Sequence, residues 1–338
     1  MKFEQRIPDY FEVEKHTLGE CECGAFTKWW DSSLETHVCS TECYENMWRC
    51  YLSSNPDNTY GKRVAMYSQE MAVEKDVVAR HWESDHYAQI YFKDILIVVK
   101  DQIGYLIKCI ESIQKYTSNY NLYIWDNESD APTREYLEGL RKHGVRLIRS
   151  EANKGFIGPN NVLASLGNSD YIIVLNSDTI VKSGWATLLC GVLEDNPSVG
   201  QVGYLGGLLN SDGTGSYTNF GYDVDYILGW CFAMRREDYK SYGLFDEELK
   251  FAYFEDADLS LRLKNNGLSL YSCYLPLVHH YGNKTLGSID IDLKPTIMSN
   301  LDVFRRRWHD YLSSGRVKAP RKPRIWGSPG VSRKSTQA

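Results

Sequence analysis

The chain has 338 residues, of which 43% are hydrophobic and 24% charged, and its formal net charge is −6. That length buries a full core with room for a small appendage, and that composition excludes a disordered chain. An acidic balance also argues against a protein that grips phosphate backbones over a broad basic field.

No apolar run is longer than a strand. Ile95–Val99 and Tyr171–Leu175 fall far short of the roughly 20 residues that a membrane span needs. Met1–Tyr10 is charged where a signal peptide would be apolar, so a cytoplasmic protein without a transmembrane segment is expected. The 24 Tyr and 9 Trp suit stacking on flat ligands and sugar faces, but they fill cores at least as often. No internal repeat is visible.

Residues 1–93 are acidic, rich in Cys, His and Trp, and lack a strand–helix rhythm. Cys21-Glu22-Cys23 and Cys39-Ser40-Thr41-Glu42-Cys43 form two close cysteine pairs. Four thiolates so spaced suit tetrahedral zinc, with His37 as an alternative ligand and buried free thiols as the plainer explanation. A site closed by four protein ligands is structural, and it would let a region with little core hold a fold. The segment from Cys39 through Tyr44 and Trp48 resembles the knuckle-and-helix half of a treble-clef zinc finger.

From residue 94 the pattern changes. Asp94–Lys100 reads as a buried strand and Ile103–Tyr116 as a helix with Leu106, Ile110 and Ile113 on one stripe. Asn121–Trp125 is a second strand, followed by a helix over Pro132–His143 that proline opens. Val145–Arg149 is a third strand and Gly155–Leu166 a helix. Tyr171–Leu175 is a fourth strand, apolar throughout as a central parallel strand should be. A helix over Gly184–Leu193 and a strand near Val199–Tyr204 come next. Beyond Tyr226 the rhythm loosens, with a helix from the 251–258 segment to Asn266 and a strand over Leu268–Tyr274. This alternation predicts an α/β fold with a mostly parallel sheet flanked by helices. Residues 94–310 form its domain. Residues 311–338 are a basic tail, with Arg316, Lys318, Arg321, Lys322, Arg324, Arg333 and Lys334 following the run Arg305–Arg307. The tail reads either as a solvated terminus or as a contact for nucleic acid or an anionic surface.

Ligands of such sheets bind beyond the carboxyl ends of the strands. Lys100-Asp101, Asp126-Asn127-Glu128-Ser129 and Asn176-Ser177-Asp178 all fall there. Each cluster alone is explained by a turn or a cap; together they point to a nucleotide site. Asp126 could accept hydrogen bonds from a base or ribose, and Asp178 could hold a divalent cation together with substrate phosphates.

The stretches ILIVVKDQIGYLIKCIESI, YIWDNESD, NKGFIGPNN, YIIVLNSDT, FAYFEDADLSLRLKNNG and HHYGNKT occur in that order over roughly residues 94–285. In combination they resemble the inverting glycosyltransferases of family 2, which have the GT-A fold, and most closely a rhamnosyltransferase-like branch. The resemblance implies a nucleotide-diphosphate sugar donor and a Mn2+ or Mg2+ ion. It places Asp101, Asp126 and Asn127 at the donor nucleotide, and Asn153, Gly155 and Phe156 in a turn near the ribose. Asn176 and Asp178 match the ends of a D-x-D-like motif whose first acid has become Asn. Asp256 resembles the general base, and Glu255 an acceptor-binding group. His280 resembles the last metal ligand, with His279 second, and Lys284 a diphosphate contact. Trp230 is a candidate acceptor platform, although a core tryptophan fits as well.

The expected reaction is single-displacement transfer of a sugar to an acceptor hydroxyl, which inverts the anomeric centre. The acceptor is either a glycan or surface polymer or, given the zinc-like module and basic tail, hydroxymethylated DNA. A zinc-finger scaffold with a vestigial transferase fold is the alternative from another class. A nucleotidyltransferase shares the nucleotide half without explaining Glu255-Asp256 and the distal histidine.

Overall fold

The structure is a computed structural model that describes residues 29–31, 36–38, 68–83, 91–282 and 292–314. Cys21, Cys23, Cys39, Cys43, Lys284 and the tail from residue 315 lie outside the described residues.

The elements in chain order begin with a short antiparallel hairpin of β1 (Trp29–Asp31) and β2 (Thr36–Val38), then helix α1 (Ser68–Glu83). Next come β3 (Lys93–Val99), α2 (Ile103–Tyr116), β4 (Tyr120–Asn127), α3 (Ala131–Leu140), β5 (Arg146–Ser150), α4 (Ile157–Leu166) and β6 (Tyr171–Leu175). They continue with β7 (Thr179–Val181), α5 (Trp185–Asp195), β8 (Val199–Gly203), β9 (Gly206–Leu209), β10 (Gly215–Asn219), β11 (Tyr226–Ile227) and β12 (Cys231–Arg235). The last are α6 (Arg236–Tyr242), α7 (Glu255–Asn265), β13 (Ser269–Ser272), β14 (Val278–His280), α8 (Lys294–Arg307) and α9 (His309–Ser313).

The central sheet has seven strands in the order β13-β8-β12-β6-β3-β4-β5. All run in one direction except β12, which is antiparallel to both of its neighbours. Both faces are covered, as a parallel sheet requires. Side chains alternate across β3: Ile95, Ile97 and Val99 join one core with α1, α2, α3 and α5, while Leu96 joins the other with α4 and α7. The predicted stripe Leu106, Ile110 and Ile113 is the buried face of α2.

Local chemistry explains the element ends. Asp130 caps α3, its carboxylate accepting from the Thr133 amide at 3.0 Å, with Pro132 in the first turn. The reading of this helix to His143 is corrected only in its last turn, which is a 3-10 turn before Gly144 at φ 83. Helix α4 starts at Ile157 rather than Gly155, because Gly155 and Phe156 are used in a turn described below.

One element was not legible as such. Helix α1 lies in the stretch read as lacking rhythm, yet Val77 and Val78 are fully buried in the main core. Its Glu74 is also fully buried, and accepts from the Tyr271 hydroxyl at 2.9 Å and the amides of Tyr274 at 2.8 Å and Leu275 at 2.7 Å. The basic run Arg305–Arg307 also sits differently from a free cationic patch. Arg306 and Arg307 each pair with Glu248 at 2.6 Å, and Arg307 reaches Asp246 and Asp258 as well.

Candidate active site

The carboxyl ends of β3, β4 and β6 lie at one edge of the sheet, and the strand-end residues gather there. Asp126 is fully buried; one oxygen accepts from the Ser129 amide at 2.9 Å and the other from Arg149 Nε at 2.7 Å. Asp101 joins two loops, its backbone amide donating to Ser129 Oγ at 3.0 Å and its carboxylate accepting from the Asp130 amide at 2.6 Å.

Asn127 holds the turn at residues 153–155. Its Nδ2 donates to Asn153 Oδ1 at 2.6 Å and to the Gly155 carbonyl at 2.9 Å, and its Oδ1 accepts from the Lys154 amide at 2.7 Å. Gly155 has φ +74, and a Cβ there would lie 2.6 Å from the Phe251 backbone, so both conformation and space demand glycine. The Phe251 carbonyl accepts from the amides of Phe156 at 2.6 Å and Ile157 at 3.2 Å. Three donors in β4, β5 and this turn are buried without a partner: Trp125 Nε1, Arg149 Nη2 and Asn153 Nδ2. Buried donors of this kind are normally satisfied, so a ligand with acceptor oxygens fits here.

Asn176 and Asp178 follow β6, and a two-stranded ribbon brings the distal histidine to them. In that ribbon β14 pairs antiparallel with β7, with His280 opposite Thr179. His280 Nε2 lies 3.1 Å from Asp178 Oδ1 and 3.4 Å from Asn176 Nδ2. Strand alternation sends the neighbouring His279 elsewhere: it is exposed and packs edge-on against Tyr281. Two ligand atoms on adjacent vertices of an octahedron with bonds of about 2.1 Å are about 3 Å apart. The Asp178–His280 separation therefore fits one shared divalent cation, and the carboxylate, imidazole and amide oxygen available here are suitable donors. Among the described residues no three His, Cys, Asp or Glu side chains converge in this way.

Glu255 and Asp256 open α7. Asp256 accepts from the Gly229 amide at 3.0 Å and the Ala257 amide at 2.8 Å. Burial raises its carboxyl above the ordinary range. Glu255 is pushed up further, first by burial and then by the charge of Asp256, and its Oε2 has no partner. Two backbone amides oppose the rise at Asp256, so burial and the neighbouring charge press hardest on Glu255.

The approach to these acids is strained. Phe251, Tyr253 and Phe254 have φ of 66, 77 and 70, left-handed values that bulky residues avoid. Each costs of order 1–3 kcal/mol and persists only where surrounding contacts enforce it. Gly229-Trp230 joins the acids to the metal-binding candidates. Gly229 donates to Asp256, the Trp230 carbonyl accepts from the Asn176 amide at 2.8 Å, and the Trp230 ring stacks on His280 at 4.9 Å and 14°. Trp230 thus lies against the histidine as well as against the core.

These features lie largely within one recognisable segment. Residues 94–243 match the family model described as Glycosyl transferase family 2. The matched segment contains the donor-side turn, Asn176, Asp178 and Trp230, whereas Glu255, Asp256 and His280 lie beyond it. The uncharacterized protein y4gI of Sinorhizobium fredii (strain NBRC 101917 / NGR234) is 22% identical over 253 residues, covering 64% of this chain and 28% of its own length. The crystal structure of GalNAc-T7 with UDP, GalNAc and Mn2+ superposes with a TM-score of 0.54 at 16% identity, over 66% of this chain and 50% of that one. The chain therefore spans about half the length of that structure, and what the two share is the GT-A fold. The structure of S. aureus TarS 1–349 with UDP-GlcNAc is similar at TM-score 0.47 and 13% identity, over 63% of this chain and 66% of that one, too loosely to carry an argument.

Two contributors escaped the sequence reading. Arg149 is the next-to-last residue of β5, opposite Asp126 on β4, so the strand-end rule that found Asp126 reaches it too. Asn300, on α8, contacts the loop before α7 and belongs to no motif.

Proposed function

We propose that this chain is a metal-dependent, inverting glycosyltransferase that moves a sugar from a nucleotide-diphosphate donor to an acceptor hydroxyl. The observation that carries this reading is the joining of two chemically different pairs by one dipeptide. Gly229-Trp230 contacts the Asp256 carboxylate on one side and His280 beside Asp178 on the other. Asp178 and His280, with Asn176 beside them, would hold the cation, which when bound supplies positive charge against the leaving diphosphate.

The chain's own groups do the rest. Asp256 takes the proton from the acceptor hydroxyl as its oxygen forms a bond to the anomeric carbon. The bond from that carbon to the diphosphate oxygen breaks on the opposite face, and the configuration inverts. Glu255, buried beside Asp256 with Oε2 unmatched, contacts the acceptor. Arg149 Nη2, Trp125 Nε1 and Asn153 Nδ2 donate to acceptor oxygens of the nucleotide. Lys284, outside the described residues, belongs to the same proposal as a diphosphate contact.

The acceptor class is a glycan or surface polymer, or hydroxymethylated DNA. The salt bridges that occupy Arg306 and Arg307 favour the former, since they remove part of the basic surface that a duplex would need. The four amino-terminal cysteines are proposed to hold a structural zinc. The hairpin of β1 and β2 supports this, because it falls between the two cysteine pairs. Incubation with UDP-, GDP- and dTDP-sugars plus Mn2+ or Mg2+, followed by mass spectrometry of glycan and modified-DNA acceptors, tests the reading. A sugar mass increment on one acceptor class is expected. Neither increment nor nucleotide release with any donor would leave the scaffold alternative standing.

A further inference from the structure

Helix α8 lies outside the matched segment and carries one buried polar residue turned wholly to another element. Asn300 is 1% exposed. Its Oδ1 accepts from the Lys250 amide at 2.9 Å, and its Nδ2 faces the carbonyls of Lys250 at 2.8 Å, Ala252 at 2.9 Å and Tyr253 at 3.2 Å. A buried amide in a helix is unfavourable unless it is fully bonded, and packing alone would be served by an apolar residue. Asn300 instead commits donor and acceptor to three residues of one short stretch, Lys250, Ala252 and Tyr253.

That stretch contains and borders the strained residues. Phe251 and Tyr253 are left-handed, and Phe254 after them is as well. Left alone, such a segment would relax toward ordinary backbone angles. On one side it meets the donor-side turn, because the Phe251 carbonyl accepts from Phe156 and Ile157. On the other it runs directly into Glu255 and Asp256. The rest of α8 anchors the same corner: Phe304 packs on Phe254 at 5.4 Å, and Arg307 reaches Asp258 at 2.8 Å.

We propose that Asn300 is a positioning residue, holding Lys250–Tyr253 in the left-handed course that sets Glu255 and Asp256 against the donor-side turn. The chemistry it serves rests on the glycosyltransferase reading; its hold on the loop does not. The full chain would be compared as wild type, Asn300→Ala, Asn300→Asp and Leu301→Ala. Leu301→Ala is a destabilised control, because that side chain is buried on the same helix and lies near Gly213.

Hydrogen exchange of amides 251–258 should rise in both Asn300 variants and not in Leu301→Ala. Asn300→Asp, which sets an acid against three carbonyls, should show the larger rise. With UDP-sugar and Mn2+, Asn300→Ala should lose on the order of tenfold to a hundredfold in kcat, with calorimetric binding of UDP unchanged. The acid limb of its pH profile should move to lower pH, because an Asp256 released into water loses the burial that raises its carboxyl. Unchanged exchange over 251–258, or a loss of kcat no greater than in Leu301→Ala, would overturn the proposal. A wild type that binds none of UDP, GDP and dTDP and releases none of them from a sugar sinks the catalytic reading instead, and the exchange comparison still decides the role of Asn300.

Discussion

Two sets of buried carboxylates are treated oppositely by the fold: Asp94 on β3, and the Glu255–Asp256 pair that opens α7. At the amino end of β3, Asp94 is fully buried and accepts from Asn121 Nδ2 at 2.9 Å, Ser169 Oγ at 2.7 Å, the Ser169 amide at 3.0 Å and Arg236 Nη2 at 2.5 Å. Arg236 is itself held by the carbonyls of Ser169 and Ala164. At the carboxyl side of the sheet Glu255 has an oxygen without a partner, Asp256 is raised by burial, and three buried donors are unmatched. A buried charge with every lone pair occupied stabilises a fold. Buried polar groups left unmatched beside a strained loop are disposed to meet a ligand.

Substitution should separate the two sets, and the largest effect belongs to Asp256. Asp256→Asn should lower sugar transfer by about a hundred- to ten-thousand-fold without lowering the melting temperature, since it removes a desolvated charge. Transfer and thermal melting measured on one preparation test this; unchanged turnover would remove Asp256 from the mechanism. Asp94→Asn should do the reverse. It leaves Arg236 buried without its counter-ion and should cost about 3–5 kcal/mol of stability, with turnover per folded molecule intact, as read from denaturant unfolding beside an active-fraction assay.

Glu74 tests the comparison on a third carboxylate. Burial raises its pKa from 4.5 to about 7, against the three donors that favour its charge. Because the folded value is the higher one, its contribution to stability is fully present below about pH 4.5 and is lost as pH rises through about 7. The amplitude is on the order of 3 kcal/mol. Glu74→Gln cannot titrate, so wild type should lose stability relative to it between pH 5 and 8. Parallel unfolding curves for the two proteins across that range would refute the assignment. The smallest effect is expected at Trp230. Trp230→Ala removes the ring stacked on His280 and should weaken the Mn2+ dependence of UDP binding by about 10–100-fold, with Trp230→Phe retaining most of it.

Much of this was legible before any coordinates. The apolar blocks at Ile95–Val99 and Tyr171–Leu175 could only be buried strands, and the stripe of α2 could only be a helix face. The strand-end rule then singled out Asp126 and Asp178. Helix α1 escaped because its outward residues are mixed and it borrows its partners from α5 and β13, nearly 200 positions away in the case of Glu74 and Tyr271. Arg149 carries the ion pair to Asp126, but nothing in its local pattern marks that pairing, because the partner lies on the neighbouring strand.

By itself the sequence determined the alternation of strands and helices, the polar clusters that follow the strands, and the glycine at position 155, because these depend on spacing and on single-residue sterics. Only the tertiary structure decided that His280 rather than His279 faces Asp178, across 102 residues, since ribbon register chooses which of two adjacent side chains points inward. It also decided that Asp94 is an internal anchor with donors on both oxygens, while Glu255 beside Asp256 keeps an oxygen without a partner. Whether a carboxylate finds its donors within the chain is a property of distant neighbours, and no local pattern encodes it.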